Sequence, residues 1–173
     1  MIRSIVVFLA AMLLLQTADA QTSYTSEDDP KQPGAFLYKG RITHFLLANT
    51  PSFSWYASRQ ATYKPSVPFL NAFESARGKV RFLIFGGTWC EDTQSILPTF
   101  FKAQAMAGFP DSDLTFYAVD RSKKTMNNEA QTYAITNVPT IIVLRDGQEV
   151  GRVVEYGKTG KWEEEMTQLL LQH

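Results

Sequence analysis

Residues 79–98 read KVRFLIFGGTWCEDTQSILP. The first part, 80–85, is a strand-like run, apolar apart from Arg81. Gly86 and Gly87 break it, Trp89-Cys90 stands at the break, and a helical pattern starts at Glu91. A cysteine at the mouth of a helix is a setting for thiol chemistry. The unpaired N–H groups and partial positive charge of a helix N-terminus favour thiolate over thiol. Cys90 is the single cysteine of the 173 residues, so the chain has no internal disulfide and works with one sulfur.

Downstream, Ile96, Leu97, Phe100, Phe101 and Met106 keep a helical rhythm, and Pro98 inside it predicts a kink. A strand is predicted over 114–120 and a short helix over 129–133. Two β-rich runs, 140–144 and 149–154, flank Asp146-Gly147, a strong hairpin signal. Thr159 is placed to cap a last helix carrying Trp162, Met166, Leu169 and Leu170 on one face. The order from Lys79 is β-α-β-α-β-β-α. A crossover helix makes the first two strands parallel, and the hairpin makes the last two antiparallel. The fold class is therefore α/β, a central mixed sheet with helices on both faces.

Upstream, 35–77 reads as an aromatic-rich helical extension. Ile42, Phe45, Leu46 and Asn49 predict a short amphipathic turn. Ser52 and Ser66 are placed to cap two further helices, with Pro68 in the first turn of the second. Trp55, Tyr56 and Tyr63 at helical spacing are read as core packing rather than a peptide groove. Residues 21–34 are polar and hold two prolines, a mobile leader. Residues 1–20 carry Arg3, an apolar run over 5–15 and Ala18-Asp19-Ala20. That is a secretory signal peptide cleaved after Ala20, with an apolar run too short to span a bilayer. The chain is thus expected to be exported, to the periplasm, with no membrane span after cleavage.

Lys+Arg and Asp+Glu both number 17, so no basic excess points to nucleic acid. Two histidines and one cysteine make no zinc site, and no cofactor motif is present. Lys158-Thr159-Gly160 lacks the S-x-x-K that a β-lactamase would need, and Gly86-Gly87 lacks the rest of a phosphate loop.

The element order, with Trp89-Cys90 at the first strand-helix junction, resembles the thioredoxin fold. Trp89-Cys90 stands where that family has W-C-x-x-C. Pro98 matches the kinking proline of its active-site helix, and 133–140, YAITNVPT, resembles its Y-G-I-x-x-I/V-P-T run. The match covers about 68–171, with the domain proper over 78–173. The whole chain is also similar to secreted thioredoxin-like proteins of Bacteroidetes, in which W-C-E-D-T follows an aromatic helical extension. The resemblance implies that Pro139 is cis and faces Cys90, and that Trp89, Val138 and Pro139 meet an extended substrate strand.

Two departures matter. Thr93 stands in place of the resolving cysteine, and Ile84 in place of the buried acid found in many thioredoxins. An ordinary dithiol reductase is therefore not expected. Cys90 would act as a monothiol, exchanging disulfides with a protein or a small thiol, and Thr93 would donate a hydrogen bond to the sulfur. Glu91 and Asp92 would oppose the thiolate while suiting the helix N-terminus. The alternative is a non-catalytic module that binds a peptide or partner protein. A thiol peroxidase ranks third, because the sequence neighbours of Cys90 are acidic rather than cationic.

Overall fold

The computed structural model describes residues 23–172. The signal peptide expected over 1–20, the first residues of the leader and His173 lie outside them.

The elements are β1 (Tyr24–Asp28), β2 (Phe36–Ile42), α1 (His44–Ala48), α2 (Ser54–Thr62), α3 (Val67–Ala76), β3 (Arg81–Gly86), α4 (Glu91–Met106), β4 (Leu114–Ala118), α5 (Glu129–Thr132), β5 (Thr140–Arg145), β6 (Gln148–Val154) and α6 (Trp162–Leu171). The strands form one six-stranded sheet in the order β1-β2-β4-β3-β5-β6. The β3–β4 pair is parallel, as the crossover helix α4 requires. The pairs β3–β5 and β5–β6 are antiparallel. The predicted β-α-β-α-β-β-α series is present from β3 onward.

Two expectations upstream are corrected. The leader over 21–34 contains a strand, β1, and the helical extension over 35–77 opens on another, β2. They form an antiparallel pair, Tyr24 opposite Gly40 and Asp28 opposite Phe36, and β2 joins the domain's sheet through β4. The β1 sequence, YTSED, has no apolar alternation because it is an edge strand with three of its five residues exposed. Its strand character comes from backbone pairing, which hydropathy does not report. Along β2, Leu37, Tyr38 and Ile42 are buried. Reading Ile42 with Phe45 and Leu46 at helical spacing concealed that strand.

The expected helices follow. Thr43 Oγ1 caps α1 by accepting from Leu46 N at 3.2 Å, and Ser66 Oγ accepts from Phe69 N at the start of α3. The N-cap of α2 is Phe53, after a 3-10 turn over Pro51–Phe53, not Ser52. The N-cap of α6 is Lys161, not Thr159. Thr159 instead donates its N–H to Glu165 Oε1 at 3.1 Å.

The two faces of the sheet are covered unequally. On one, α3, α4 and α6 bury a core rich in phenylalanine, joined by Tyr38, Phe53 and Tyr56 from the N-terminal segment. Tyr56 is buried and Trp55 packs on this core, in keeping with the packing reading of these aromatics. The other face carries Leu83, Phe85 and Ile142. It is covered by the one-turn α5 and by the segment leading to Val138. Trp89 and Cys90 pack against this thinner side.

Gly40 makes the β1–β2 contact possible. Its φ is +111°, and a Cβ there would lie 2.5 Å from Ser23 O and 2.8 Å from Tyr24 Cα. Gly40→Ala is expected to cost about 2–4 kcal/mol, from the unfavourable φ and the backbone clash. Hydrogen exchange would show β1 amides losing protection ahead of β3 and β5. Equal protection in variant and parent would refute this account of Gly40.

Candidate active site

The strand β3 delivers the chain to the sheet's upper edge, where Gly86-Gly87 turn it into α4. Gly87 cannot carry a side chain here, since a Cβ would meet the Trp89 ring at 2.6 Å. Cys90 is the N-cap of α4, in extended conformation, with no side-chain cap hydrogen bond. Its N–H donates to Gly87 O at 2.9 Å, and its carbonyl accepts from Gln94 N at 3.0 Å. Glu91 and Asp92 occupy the first turn, where the helix dipole favours negative charge.

The Cys90 side chain is free and half-buried. Its Sγ–H donates to Val138 O at 3.2 Å, and the Val138–Pro139 peptide bond is cis. The structure therefore joins the two motifs that lie 48 residues apart. Only a protonated sulfur can make that bond. A thiolate, or a sulfur bonded to a partner, releases the Val138 carbonyl. Val138 and Pro139 are both buried, and Pro139 O accepts from Glu155 N at 2.7 Å. The Val138 carbonyl, part of the backbone expected to meet a substrate strand, is thus engaged by Cys90 itself.

Thr93 is placed otherwise than expected. It is 0% exposed, and its Oγ1 accepts from Gly87 N at 3.2 Å. Among the described residues no hydrogen bond joins Thr93 to the sulfur. Its hydroxyl ties the glycine turn to the first turn of α4, where a backbone N–H would otherwise be buried without a partner. Ile84, also 0% exposed, lies in the large core on the opposite face from Phe85.

Glu91 is exposed and Asp92 half-buried. Burial raises the Asp92 carboxyl above the usual carboxylate range, and the charges of Glu155 and Glu91 push the same way. Glu155 comes from the end of β6, where Asn137 Nδ2 donates to its Oε1 at 2.9 Å. One flank of the sulfur is therefore acidic.

The other flank contains residues that sequence reading missed. Trp89 Nε1 donates to Val119 O at 2.9 Å. The Arg121 guanidinium lies over the Trp89 ring, its Cζ 5.0 Å from the centroid, with Lys123 Nζ at 6.0 Å. Arg121 in turn grips Asp29, Nε to Oδ1 at 2.5 Å and Nη2 to Oδ2 at 2.7 Å, across 92 residues of chain. The Asp29 side chain is 2% exposed. Arg121 holds the Asp29 carboxyl below its usual range, and Asp29 raises the guanidinium, with a smaller contribution from Cys90. Thr88, also buried, accepts from Tyr38 N of β2 at 3.2 Å. No spacing in the sequence links these residues. In the sequence Asp29 falls in the polar stretch over 21–34 that reads as a mobile leader.

The helices of the N-terminal segment do not seal the sulfur. They lie along α4: Arg59 Nη2 donates to Ser95 Oγ at 3.0 Å, and Lys102 Nζ donates to the carbonyls of Gln60 and Tyr63, each at 2.6 Å. Those lysine bonds satisfy carbonyls at the C-terminal end of α2. Among the described residues there is no cluster of ligands for a metal ion, and no helix is long and apolar enough to cross a membrane.

Comparison with known proteins agrees with this geometry. The family model described as thioredoxin matches residues 69–168, which include Trp89, Cys90, Pro98 and Pro139. A thioredoxin of Staphylococcus haemolyticus is 30% identical over 88 residues, covering 50% of this chain and 78% of the relative. A thioredoxin of Echinococcus granulosus is 32% identical over 92 residues, covering 52% and 80%. In fold, a crystal structure of a Pseudomonas aeruginosa protein of unknown function aligns with a TM-score of 0.50 at 18% identity, over 73% of this chain and 87% of that one.

Proposed function

From the premise that the chain belongs to the thioredoxin family, with thiol–disulfide redox chemistry as its setting, we propose that it works through Cys90 alone. The observation that carries this reading is a single half-exposed sulfur at the N-terminus of α4. Its one hydrogen bond is to a carbonyl that it gives up on reaction. In the exchange, the Cys90 thiol loses its proton to water. The thiolate attacks one sulfur of a partner disulfide, the Cys90–partner S–S bond forms, and the second partner sulfur leaves as thiolate with the bonding electron pair. Thr93 offers no second thiol, so the mixed disulfide lasts until an outside thiol attacks it. That outside thiol, on a protein or a small molecule, ends as the new disulfide and restores Cys90. Residues 1–20, with Arg3, the apolar run and the A-x-A end, support export of the chain to the periplasm as part of the same reading.

The test is direct. The folded chain, incubated with excess glutathione disulfide, is expected to gain one glutathionyl group on Cys90 by mass spectrometry. The adduct should persist after the excess is removed and disappear on adding a reduced thiol. A folded protein that stays unmodified, while the urea-unfolded chain is modified, would leave the non-catalytic, partner-binding reading in its place.

A further inference from the structure

We propose that the ion pair of buried Asp29 with half-buried Arg121 is a positioning device for the Cys90 site, holding a guanidinium over Trp89 so that the site favours disulfides carrying negative charge on that flank. The inference rests on the reading that Cys90 exchanges disulfides. Four observations carry it. The Asp29 carboxylate grips the guanidinium through Nε and Nη2, leaving Nη1 outside that bidentate contact. The guanidinium lies on the ring of the residue next to Cys90. Asp120 fixes the loop that presents it, its carboxylate accepting from Ser122 N at 2.8 Å and Lys124 N at 3.0 Å. Lys39 of β2 holds the same carboxylate at 2.9 Å. Both anchors, Asp29 and Lys39, belong to the β1–β2 segment, so that segment shapes the electrostatics of the sulfur it does not touch.

The charged groups around the sulfur divide by side. Arg121 and Lys123 stand on the Trp89 flank, and Glu91, Asp92 and Glu155 on the helix and β6 flank. Asp29 is the positioning residue, and Arg121 is the charge that it positions. A unit charge about 5–6 Å from an approaching charged group changes its rate by roughly three- to fourfold in water, in opposite senses for anions and cations. The ratio of the two rates therefore reports the charge and cancels any change in access to the sulfur.

The experiment measures that ratio on the full chain at low ionic strength. Ellman's reagent serves as the dianionic disulfide and cystamine as the dicationic one. Arg121→Gln is expected to lower the anionic-to-cationic ratio about three- to tenfold, while Arg121→Lys, which keeps the charge but cannot make the two-point grip, should lower it by less. The exchanged pair, Asp29→Arg with Arg121→Asp, restores an ion pair but puts a carboxylate over Trp89, and should lower the ratio below that of Arg121→Gln. Raising salt to about 0.5 M should shrink the difference in ratio between the unaltered chain and Arg121→Gln by screening. Asp29→Asn combined with Arg121→Gln leaves no unpaired buried carboxylate, so it keeps the test available if Arg121→Gln alone does not fold, and it should lower the ratio to the same degree. A ratio equal in the folded variants and the parent, or a difference that salt does not shrink, would overturn the inference while leaving disulfide exchange intact. A parent chain that reacts with neither reagent would overturn both.

Discussion

Thr93→Cys is expected to shorten the life of a mixed disulfide at Cys90 by at least about a hundredfold, because the attacking thiol becomes part of the same molecule. Positions 90 and 93 are one helical turn apart, so the introduced sulfur faces the adduct. Cysteine nearly matches threonine in size, and position 93 is fully enclosed, so the fold should accept it. The substitution has one cost. Gly87 N–H loses its acceptor, Thr93 Oγ1, and sulfur replaces it poorly, at about 1–2 kcal/mol of stability. The check is to load Cys90 with glutathione, remove the excess, and follow the adduct by mass spectrometry without added thiol. A parent adduct that persists beside a variant adduct that decays would identify the missing second thiol as the reason the exchange halts. Persistence in both would mean that position 93 cannot reach the sulfur, and the monothiol account would lose its physical basis.

The largest expected effect on stability is that of Phe100→Ala, about 3–5 kcal/mol. Phe100 is fully buried on α4. Its ring meets Phe82 of β3 at 5.1 Å, Phe73 of α3 at 5.4 Å and Phe101 at 5.5 Å, each edge to face. These rings clamp three elements at one point, so the cavity cannot close by moving a single side chain. Urea unfolding should show a lower midpoint with an unchanged slope. The effect reaches the site through α4, because the helix that is loosened carries Cys90 at its N-terminus. A loss below about 1 kcal/mol would mean that the cluster repacks freely and does not fix α4.

Much of the domain was legible because its signals are local. Apolar runs at 80–85 and 140–144, the Asp146-Gly147 turn and the face of Trp162, Met166 and Leu170 each report burial through spacing along a few residues. Cys90 and Pro139 were legible through motif resemblance, and the structure brings them together through the sulfur and the Val138 carbonyl. Thr93 was expected to donate to the sulfur; in the fold its oxygen accepts from Gly87 N–H, a backbone partner that the course of the Gly86-Gly87 turn supplies. The β1–β2 pair was missed because an edge strand needs little apolar surface. A polar stretch and a strand that borrows its hydrogen bonds look alike in sequence.

Sequence alone determined that one sulfur sits where a strand turns into a helix, that a second thiol is lacking one turn on, and that the elements follow the thioredoxin order. These facts depend on residue identity and short spacing, which a chain carries before it folds. Tertiary structure decided what surrounds that sulfur: the Val138 carbonyl that accepts a hydrogen bond from its S–H, the acidic flank completed by Glu155, and the Arg121 held by a buried Asp29. Each of those contacts joins residues tens of positions apart, and ion pairs and hydrogen bonds depend on distances in space that no local pattern encodes.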